Sequence, residues 1–164
     1  MRGMAIAIRA ARADDLDFLV ELLNDDDVRP WLAGGRARGR EELEAELDGR
    51  LVIDVDGERA GAFQYRTVNE RSRIAHLGGL AVHPRFRGRR VADEAARLVQ
   101  RHLIDEVGFH RLELEVYAFN ERGIDHAERA GFVREGVKRK AYLRDGDWVD
   151  SVLFALVAED LDAT

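Results

Sequence analysis

The residues with the clearest chemical use form one basic segment, 83–90, with the sequence HPRFRGRR. It contains four arginines and no acid, although the whole chain carries a formal net charge of −6. An apolar run typical of a strand precedes it, and a run with helical spacing follows it. A helix that begins directly after a tight turn presents unpaired backbone N–H groups and its positive dipole end, which suits a pyrophosphate, and Gly88 lets the backbone approach closely. The segment therefore predicts an anion-binding loop, with a solvated basic turn as the alternative.

Several other classes of site are excluded. The glycine spacings of nucleotide P-loops and of dinucleotide-binding folds do not occur. None of the 164 residues is a cysteine, which excludes disulfides, thiolate metal sites and a cysteine nucleophile. The histidines lack H-E-x-x-H spacing, so we expect no metal. No apolar run approaches the roughly 18 residues of a membrane helix, so we expect a cytoplasmic protein without a membrane partner.

The elements that must position this loop follow from periodicity and turn residues. The predicted order is a strand at 6–10, a helix from Asp14 and Asp15 onward, a helix at 40–48, a hairpin of 51–55 and 60–68, a strand at 73–82, a helix at 91–107, a strand at 111–117, a helix at 121–130 and a final hairpin around Arg144–Asp147. Antiparallel strands followed by a helix, a strand, a helix and a hairpin favour one α+β domain over 1–164. We expect one mixed, mostly antiparallel sheet with helices packed on it.

Two stretches resemble motifs of the GNAT superfamily of N-acetyltransferases. LAVHPRFRGRRVADEAARLV is similar to its acetyl-CoA-binding segment, in which an L-x-V-x-P strand end leads into R-G-x-G-x-G/A and a long helix. LEVYAFNERGIDHAERAGFVREGV resembles the strand, asparagine and helix ending in Gly-Phe that follow. The early NDDDVRPWLAGG and the final hairpin resemble the branch with ribosomal-protein N-terminal and polyamine acetyltransferases. The resemblance spans nearly the whole chain.

The resemblance implies a GNAT fold, with helices on both faces of the sheet and splayed central strands, and acetyl-CoA as co-substrate. The resemblance also implies that the backbone of Leu80, Ala81 and Val82 would bind the pantetheine arm of acetyl-CoA. The amide near Leu80 would polarise the thioester carbonyl. The pyrophosphate would lie against Arg87, Gly88, Arg89, Arg90, Val91 and Ala92. Asn120 would bind the pantetheine or thioester end, and on its spacing it is equally an N-cap for the helix at 121–130.

This chain departs from the family pattern at two positions. Arg90 stands where the motif has its first glycine after R-G-x. Because a helical position tolerates a side chain, we expect Arg90 to lie in the helix and point outward, toward a CoA phosphate. Ala127 stands where many members have the tyrosine that protonates the departing thiolate. The usual general acid is therefore missing.

Three residues are candidates for proton transfer. His76 is the candidate base, because many relatives have a glutamate at this place and an imidazole titrates near neutrality. Strand alternation would put His76 on the same face as Leu80. Tyr117 and Tyr142 are candidate acids. Each of the three has an alternative structural use, as a hydrogen-bonded strand histidine or as a packed cross-strand tyrosine.

The sequence therefore predicts an acetyl-CoA-dependent N-acetyltransferase that acts by direct attack in a ternary complex. The acceptor is a small-molecule amine or a peptide N-terminus, and a homodimer is possible. A non-catalytic acyl-CoA-binding or sensor domain is the first alternative, which the missing tyrosine favours. An RNA-binding module is the second; we expect no nucleic acid partner, because the basic segment lacks interleaved aromatics and the chain is acidic.

Overall fold

The computed structural model describes residues 3–162. The strands are β1 (Ile6–Ala10), β2 (Arg50–Val55), β3 (Glu58–Asn69), β4 (Ile74–Val82), β5 (Arg111–Tyr117), β6 (Val133–Arg144) and β7 (Asp147–Val157). The helices are α1 (Leu16–Leu23), α2 (Arg40–Ala45), α3 (Val91–Arg101), α4 (Glu121–Arg129) and α5 (Ala158–Asp162). Every predicted strand is confirmed. The helices predicted at 40–48 and 91–107 are shorter than expected. At His102, α3 passes into a π-helical segment that ends at Gly108.

The strands form one seven-stranded sheet of order β1-β2-β3-β4-β5-β7-β6. Pairing is antiparallel between β1 and β2, β2 and β3, β5 and β7, and β6 and β7. Strands β4 and β5 run parallel, and their ladder joins Ile74–His76 to Arg111–Glu113. The expected mixed, mostly antiparallel sheet is therefore confirmed. Its parallel ladder is short and ends at His76 on β4.

The chain packs into two compact units, of which the first comprises the residues up to Tyr65 and Gly78–Val99. Leucines of α1 and α2 pack there against Ala62 and Ala81. A second cluster joins Phe86, Val91 and Ala95 to Leu80 and Val82 of β4. Because Leu80 and Ala81 are neighbours on one strand, their side chains lie on opposite faces of the sheet. Helices thus cover both faces in this unit, as expected.

A buried carboxylate, Asp15, closes the start of α1 in the same unit. Its side chain has no exposed surface, and it accepts hydrogen bonds from both terminal nitrogens of Arg9 at 2.8 Å and from Arg59 Nε at 2.6 Å. The backbone N–H of Arg12 donates a further bond of 2.7 Å. Burial alone would raise the pKa of Asp15, but the bonds from Arg9 and Arg59 outweigh it and hold the pKa well below its usual range.

The second unit comprises Arg66–Leu77 and the chain from Gln100 onward. Strand β5 pairs with β7 over its full length, and the β6–β7 hairpin closes through Asp145 and Gly146, both with positive φ. Two consecutive residues with positive φ match the tight turn that the Asp-Gly pair predicts. Leu112, Phe154 and Leu156 are buried along these strands. This packing fixes β5, and it thereby holds in place the side chains on the opposite face of the strand.

Candidate active site

The basic segment follows β4 as a short turn and a loop in the first unit. Residues Pro84–Phe86 form a single helical turn, which His83 caps by accepting a hydrogen bond from the Arg85 backbone N–H. Phe86 is buried, and the guanidinium groups of Arg85 and Arg89 lie 4.9 and 5.7 Å from its ring centre. Arg87 donates to the backbone carbonyl of Asp27 at 3.1 Å. The packed Phe86 thus fixes a loop whose arginines are exposed.

The backbone between this turn and α3 suits close approach by an anion. Gly88 has a φ of +79°, and a Cβ at this position would meet no atom within 4 Å. Helix α3 begins at Val91, and the backbone N–H groups of Val91 and Ala92 lie at the helix start, where no carbonyl one turn earlier in the helix can accept from them. The residues present therefore fit an anionic ligand such as a pyrophosphate.

Arg90 does not lie in the helix, as the sequence led us to expect; it has a φ of +57° and directly precedes α3. A side chain in the left-handed conformation costs about 1–2 kcal/mol, and only glycine adopts that conformation freely. The prediction of a helical Arg90 is therefore wrong, because the motif glycine serves a turn and not a helical position. The expected outward direction is right, since Arg90 is exposed.

We predict that Arg90→Gly leaves the free energy of unfolding unchanged or raises it by up to about 1 kcal/mol. Relief of the left-handed conformation offsets the extra chain entropy of glycine, which is about 0.5–1 kcal/mol. Arg89→Gly is the matched control, because it removes the same charge at a neighbour whose φ is negative. Urea unfolding should show that only the control is destabilised. An equal loss in both variants would contradict this account of Arg90.

At the end of β4 the backbone is the part of the strand that a ligand can bind, because the side chains there are packed in the hydrophobic clusters. Leu80 and Val82 belong to the cluster under α3, and Ala81 is buried on the other face. Gly79 has a φ of +63°, which interrupts the regular strand just before Leu80. Because of this interruption, strand alternation does not determine whether the side chains of His76 and Leu80 lie on the same face of β4. That they share a face stays a prediction.

His76 lies in the second unit, at the end of the parallel ladder and directly across from Glu113 of β5. Burial lowers the pKa of His76 below its ordinary value, and the positive charge of Arg66 lowers it further. The carboxylates of Glu115 and Glu113 oppose this shift without reversing it. The imidazole is therefore neutral at pH 7 and can accept a proton.

Glu115, two residues after Glu113 on β5, is the centre of a polar network. Its oxygens accept hydrogen bonds from the hydroxyls of Tyr142 and Ser151, both at 3.0 Å, and from Lys138 Nζ at 3.3 Å. Burial alone would raise the pKa of Glu115, but these three donors outweigh it and lower the pKa. Burial and donation to Glu115 together raise the pKa of Tyr142. The network thus holds an ionised carboxylate and a protonated phenol.

The two candidate tyrosines lie in one aromatic cluster. The Tyr117 ring meets the Tyr142 ring edge-on, with 5.9 Å between centroids, and stacks on Phe119 at 5.1 Å. The Arg144 guanidinium lies 4.8 Å from the centre of the Tyr117 ring. The structure therefore brings Tyr117 and Tyr142 together.

Asn120 is the N-cap of α4, which is the structural role that its position just before the helix predicted. Its side-chain oxygen accepts a hydrogen bond of 2.9 Å from the Gly123 backbone N–H. Ala127, where many relatives have tyrosine, is buried on α4. The helix therefore offers no hydroxyl at that position.

Sequence reasoning missed Glu115, Lys138, Ser151 and Arg66 as site residues. The alternation of RLELEVY put Glu113, Glu115 and Tyr117 on one face, which was the available signal for Glu115. Nothing comparable marked Lys138 and Ser151, because their contact with β5 depends on strand register, or Arg66, which lies on β3. Across residues 3–162, no group of three or more His, Asp or Glu side chains is arranged to hold a metal ion. In the same range, no helix is both long and apolar enough to cross a membrane.

Comparisons with known proteins identify the family to which the chain belongs. The model of the acetyltransferase (GNAT) family matches residues 16–132. An SPbeta prophage-derived uncharacterized N-acetyltransferase of Bacillus subtilis is 31% identical, over 98% of this chain and 94% of that protein. The spermidine N(1)-acetyltransferase of Escherichia coli is 23% identical over 90% of this chain and 83% of its own length.

A solved structure shows the same fold. The spermidine N-acetyltransferase from Vibrio cholerae, in complex with CoA and spermine, matches with a TM-score of 0.84 and 19% identity, over 94% of this chain and 96% of that one. The expected branch with polyamine acetyltransferases is confirmed by these relatives. The chain therefore belongs to the GNAT acetyltransferase family, and the prediction of an acetyl-CoA-dependent N-acetyltransferase is confirmed.

Proposed function

We propose that this enzyme transfers the acetyl group of acetyl-CoA directly to a primary amine, with His76 as the base. The observation that carries this assignment is the half-buried, neutral His76 at the end of the β4–β5 ladder. A neutral imidazole accepts the proton that an ammonium must lose before its nitrogen attacks. The proton moves to His76 directly or through one water.

The reaction balances without a covalent enzyme intermediate. The deprotonated amine nitrogen forms a bond to the acetyl carbon, the carbon–sulfur bond breaks, and sulfur leaves with the electron pair as the CoA thiolate. The nitrogen then loses a second proton, which passes to the thiolate or to solvent, so that the products are the amide and CoA. Tyr142 and Tyr117 are the proposed donors to this sulfur. The single O–H of Tyr142 donates to Glu115 in this structure, so it must turn from Glu115 to reach the sulfur. Because the pKa of Tyr142 is raised and a thiol titrates near about 8.5, Tyr142 then donates a hydrogen bond rather than its proton.

Acetyl-CoA is the proposed co-substrate of the loop and of the strand end before it. The backbone of Leu80, Ala81 and Val82 would pair with the pantetheine arm, since the side chains there are packed. The pyrophosphate would lie against the N–H groups and side chains of Arg87–Ala92. Asn120 would use its amide N–H₂ for the pantetheine end, because its oxygen caps α4.

We predict that acetyl-CoA raises the melting temperature by several degrees and that Gly88→Val abolishes this shift. Ligand at about a hundred times its dissociation constant stabilises a folded protein by about 2.7 kcal/mol. Valine at Gly88 meets no atom with its Cβ but is strained by the positive φ, so the variant loses some stability. Its side chain also blocks the backbone from the ligand. Thermal unfolding with and without acetyl-CoA measures the effect.

Gly146→Val is the control. Gly146 lies in the β6–β7 turn, also has a positive φ, and offers the same open space to a Cβ. This variant should lose comparable stability and keep the acetyl-CoA shift. Loss of the shift in both variants, or in neither, would count against the assignment of the loop.

A non-catalytic acyl-CoA-binding domain is the second candidate function. Ala127 favours it, because the buried alanine replaces the usual acid. The two functions differ in one observable: a binding domain gives the thermal shift without amine-dependent release of the CoA thiol.

The rest of the proposal concerns the context in which the enzyme works. We propose a single domain, a cytoplasmic location, and a small-molecule amine or peptide N-terminus as acceptor. A homodimer is supported by Leu143 of β6 and Trp148 of β7, which pair across the hairpin and are 57% and 61% exposed. A second copy would cover this apolar pair.

A further inference from the structure

The two carboxylates that raise the pKa of His76, Glu113 and Glu115, already accept hydrogen bonds from donors of this chain. Glu113, directly across from His76, accepts a hydrogen bond of 2.9 Å from Arg111 Nε. Glu115 accepts from Tyr142, Ser151 and Lys138. A second ammonium group of a polyamine would have to displace these donors to gain an ion pair here.

A positive charge lies beside the same histidine. Strands β3 and β4 are neighbours joined by a short turn, with Arg66 three residues before the end of β3 and His76 two residues after the start of β4. Consecutive strands joined by a short turn run antiparallel, so these residues lie at about the same level of the hairpin. Among the charged groups, Arg66 has the largest effect on the pKa of His76. Arg66 is exposed, and its side chain makes no hydrogen bond or ion pair with the described residues.

We propose that the acceptor carries a carboxylate beside its amino group, as an α-amino acid does, and that Arg66 binds this carboxylate. The inference rests on the proposed function, because His76 must receive the proton of the acceptor amine. An α-carboxylate lies a few ångströms from the amino nitrogen, so an amine held at His76 brings it within reach of a neighbouring arginine. The planar guanidinium matches the two carboxylate oxygens. Polyamines lack such a group, and at a peptide N-terminus it is an amide.

The test compares an amino acid with its own amide in steady-state assays. Wild-type kcat/KM should be about ten- to a hundredfold higher for the acid, which is the usual effect of one hydrogen-bonded charge pair. Arg66→Gln should remove this preference, mainly by raising KM for the acid, when both substrates are assayed at a pH above the acid limb. It should also shift the acid limb of the pH profile upward, because the charge of Arg66 lowers the pKa of His76.

Arg71→Gln is the matched control, since Arg71 is exposed in the β3–β4 turn and its loss removes the same charge. It should keep the preference for the acid. Retention of the acetyl-CoA thermal shift verifies that Arg66→Gln is folded. The inference is overturned if wild type acetylates the amide or spermidine as well as the acid, or if Arg66→Gln slows acid and amide equally. Acetylation of none of these amines would overturn the proposed function, and the inference with it.

Discussion

His76→Gln should lower kcat/KM by about a hundredfold or more, the usual contribution of a positioned base. Glutamine keeps a hydrogen-bonding side chain on the strand but cannot accept the proton of the acceptor. In the wild type, kcat/KM should fall as pH drops through the pKa of His76, because the imidazolium holds no free lone pair. Since burial lowers that pKa, the limb should lie below about pH 6.5. The variant should lack this limb and keep the acetyl-CoA thermal shift.

His110→Gln is the control for this prediction. His110 lies just before β5, is half-buried like His76, and pairs with Glu159 at 3.0 Å. Its replacement should change neither the rate nor the acid limb. If His76→Gln retains full activity with an unaltered acid limb, His76 is structural and another group or solvent takes the proton.

Asp15→Asn should destabilise the protein by about 3–5 kcal/mol at pH 7, measured by urea unfolding. Removing one partner of a buried ion pair is strongly destabilising, and here both Arg9 and Arg59 lose their buried carboxylate. Arg9 keeps its pair with Asp54, and Arg59 keeps a longer pair with Asp14. Because the folded pKa of Asp15 is depressed, its contribution is fully present above the unfolded pKa of about 3.9 and is lost as pH falls below it. The stability difference between wild type and variant should therefore narrow only below about pH 4.

Asp14→Asn isolates the effect of burial. The Asp14 side chain is 68% exposed and pairs with Arg12 at 3.3 Å, so its loss should cost less than about 1 kcal/mol. Equal stability losses in the two variants, or a difference at pH 7 below about 1 kcal/mol, would contradict the role given to the buried carboxylate.

The sequence predicted the strands well wherever alternation and turn residues agreed. RLELEVY alternates strictly, and β5 has the predicted bounds of 111 and 117. The two Asp-Gly pairs mark the turns of both hairpins, where Asp56, Gly57, Asp145 and Gly146 all have positive φ. Such features are local, so neighbouring residues suffice to determine them.

Other features depend on contacts that are distant in sequence. Ser151 reaches Glu115 across 36 residues, and Tyr142 reaches it across 27. Only the registers of β5, β6 and β7 bring them together. The left-handed Arg90 went unrecognised for a different reason, because a residue just before a helix shows the same periodicity as one inside it.

The most direct test of the account measures release of the CoA thiol from acetyl-CoA, with and without amines, alongside the mass of the acetylated product. Direct transfer in a ternary complex predicts thiol release only when a primary amine is present, with one acetyl group added per thiol released. An acetyl-CoA thermal shift without thiol release for any amine tested would instead identify a non-catalytic binding domain. A burst of thiol without amine would contradict direct transfer.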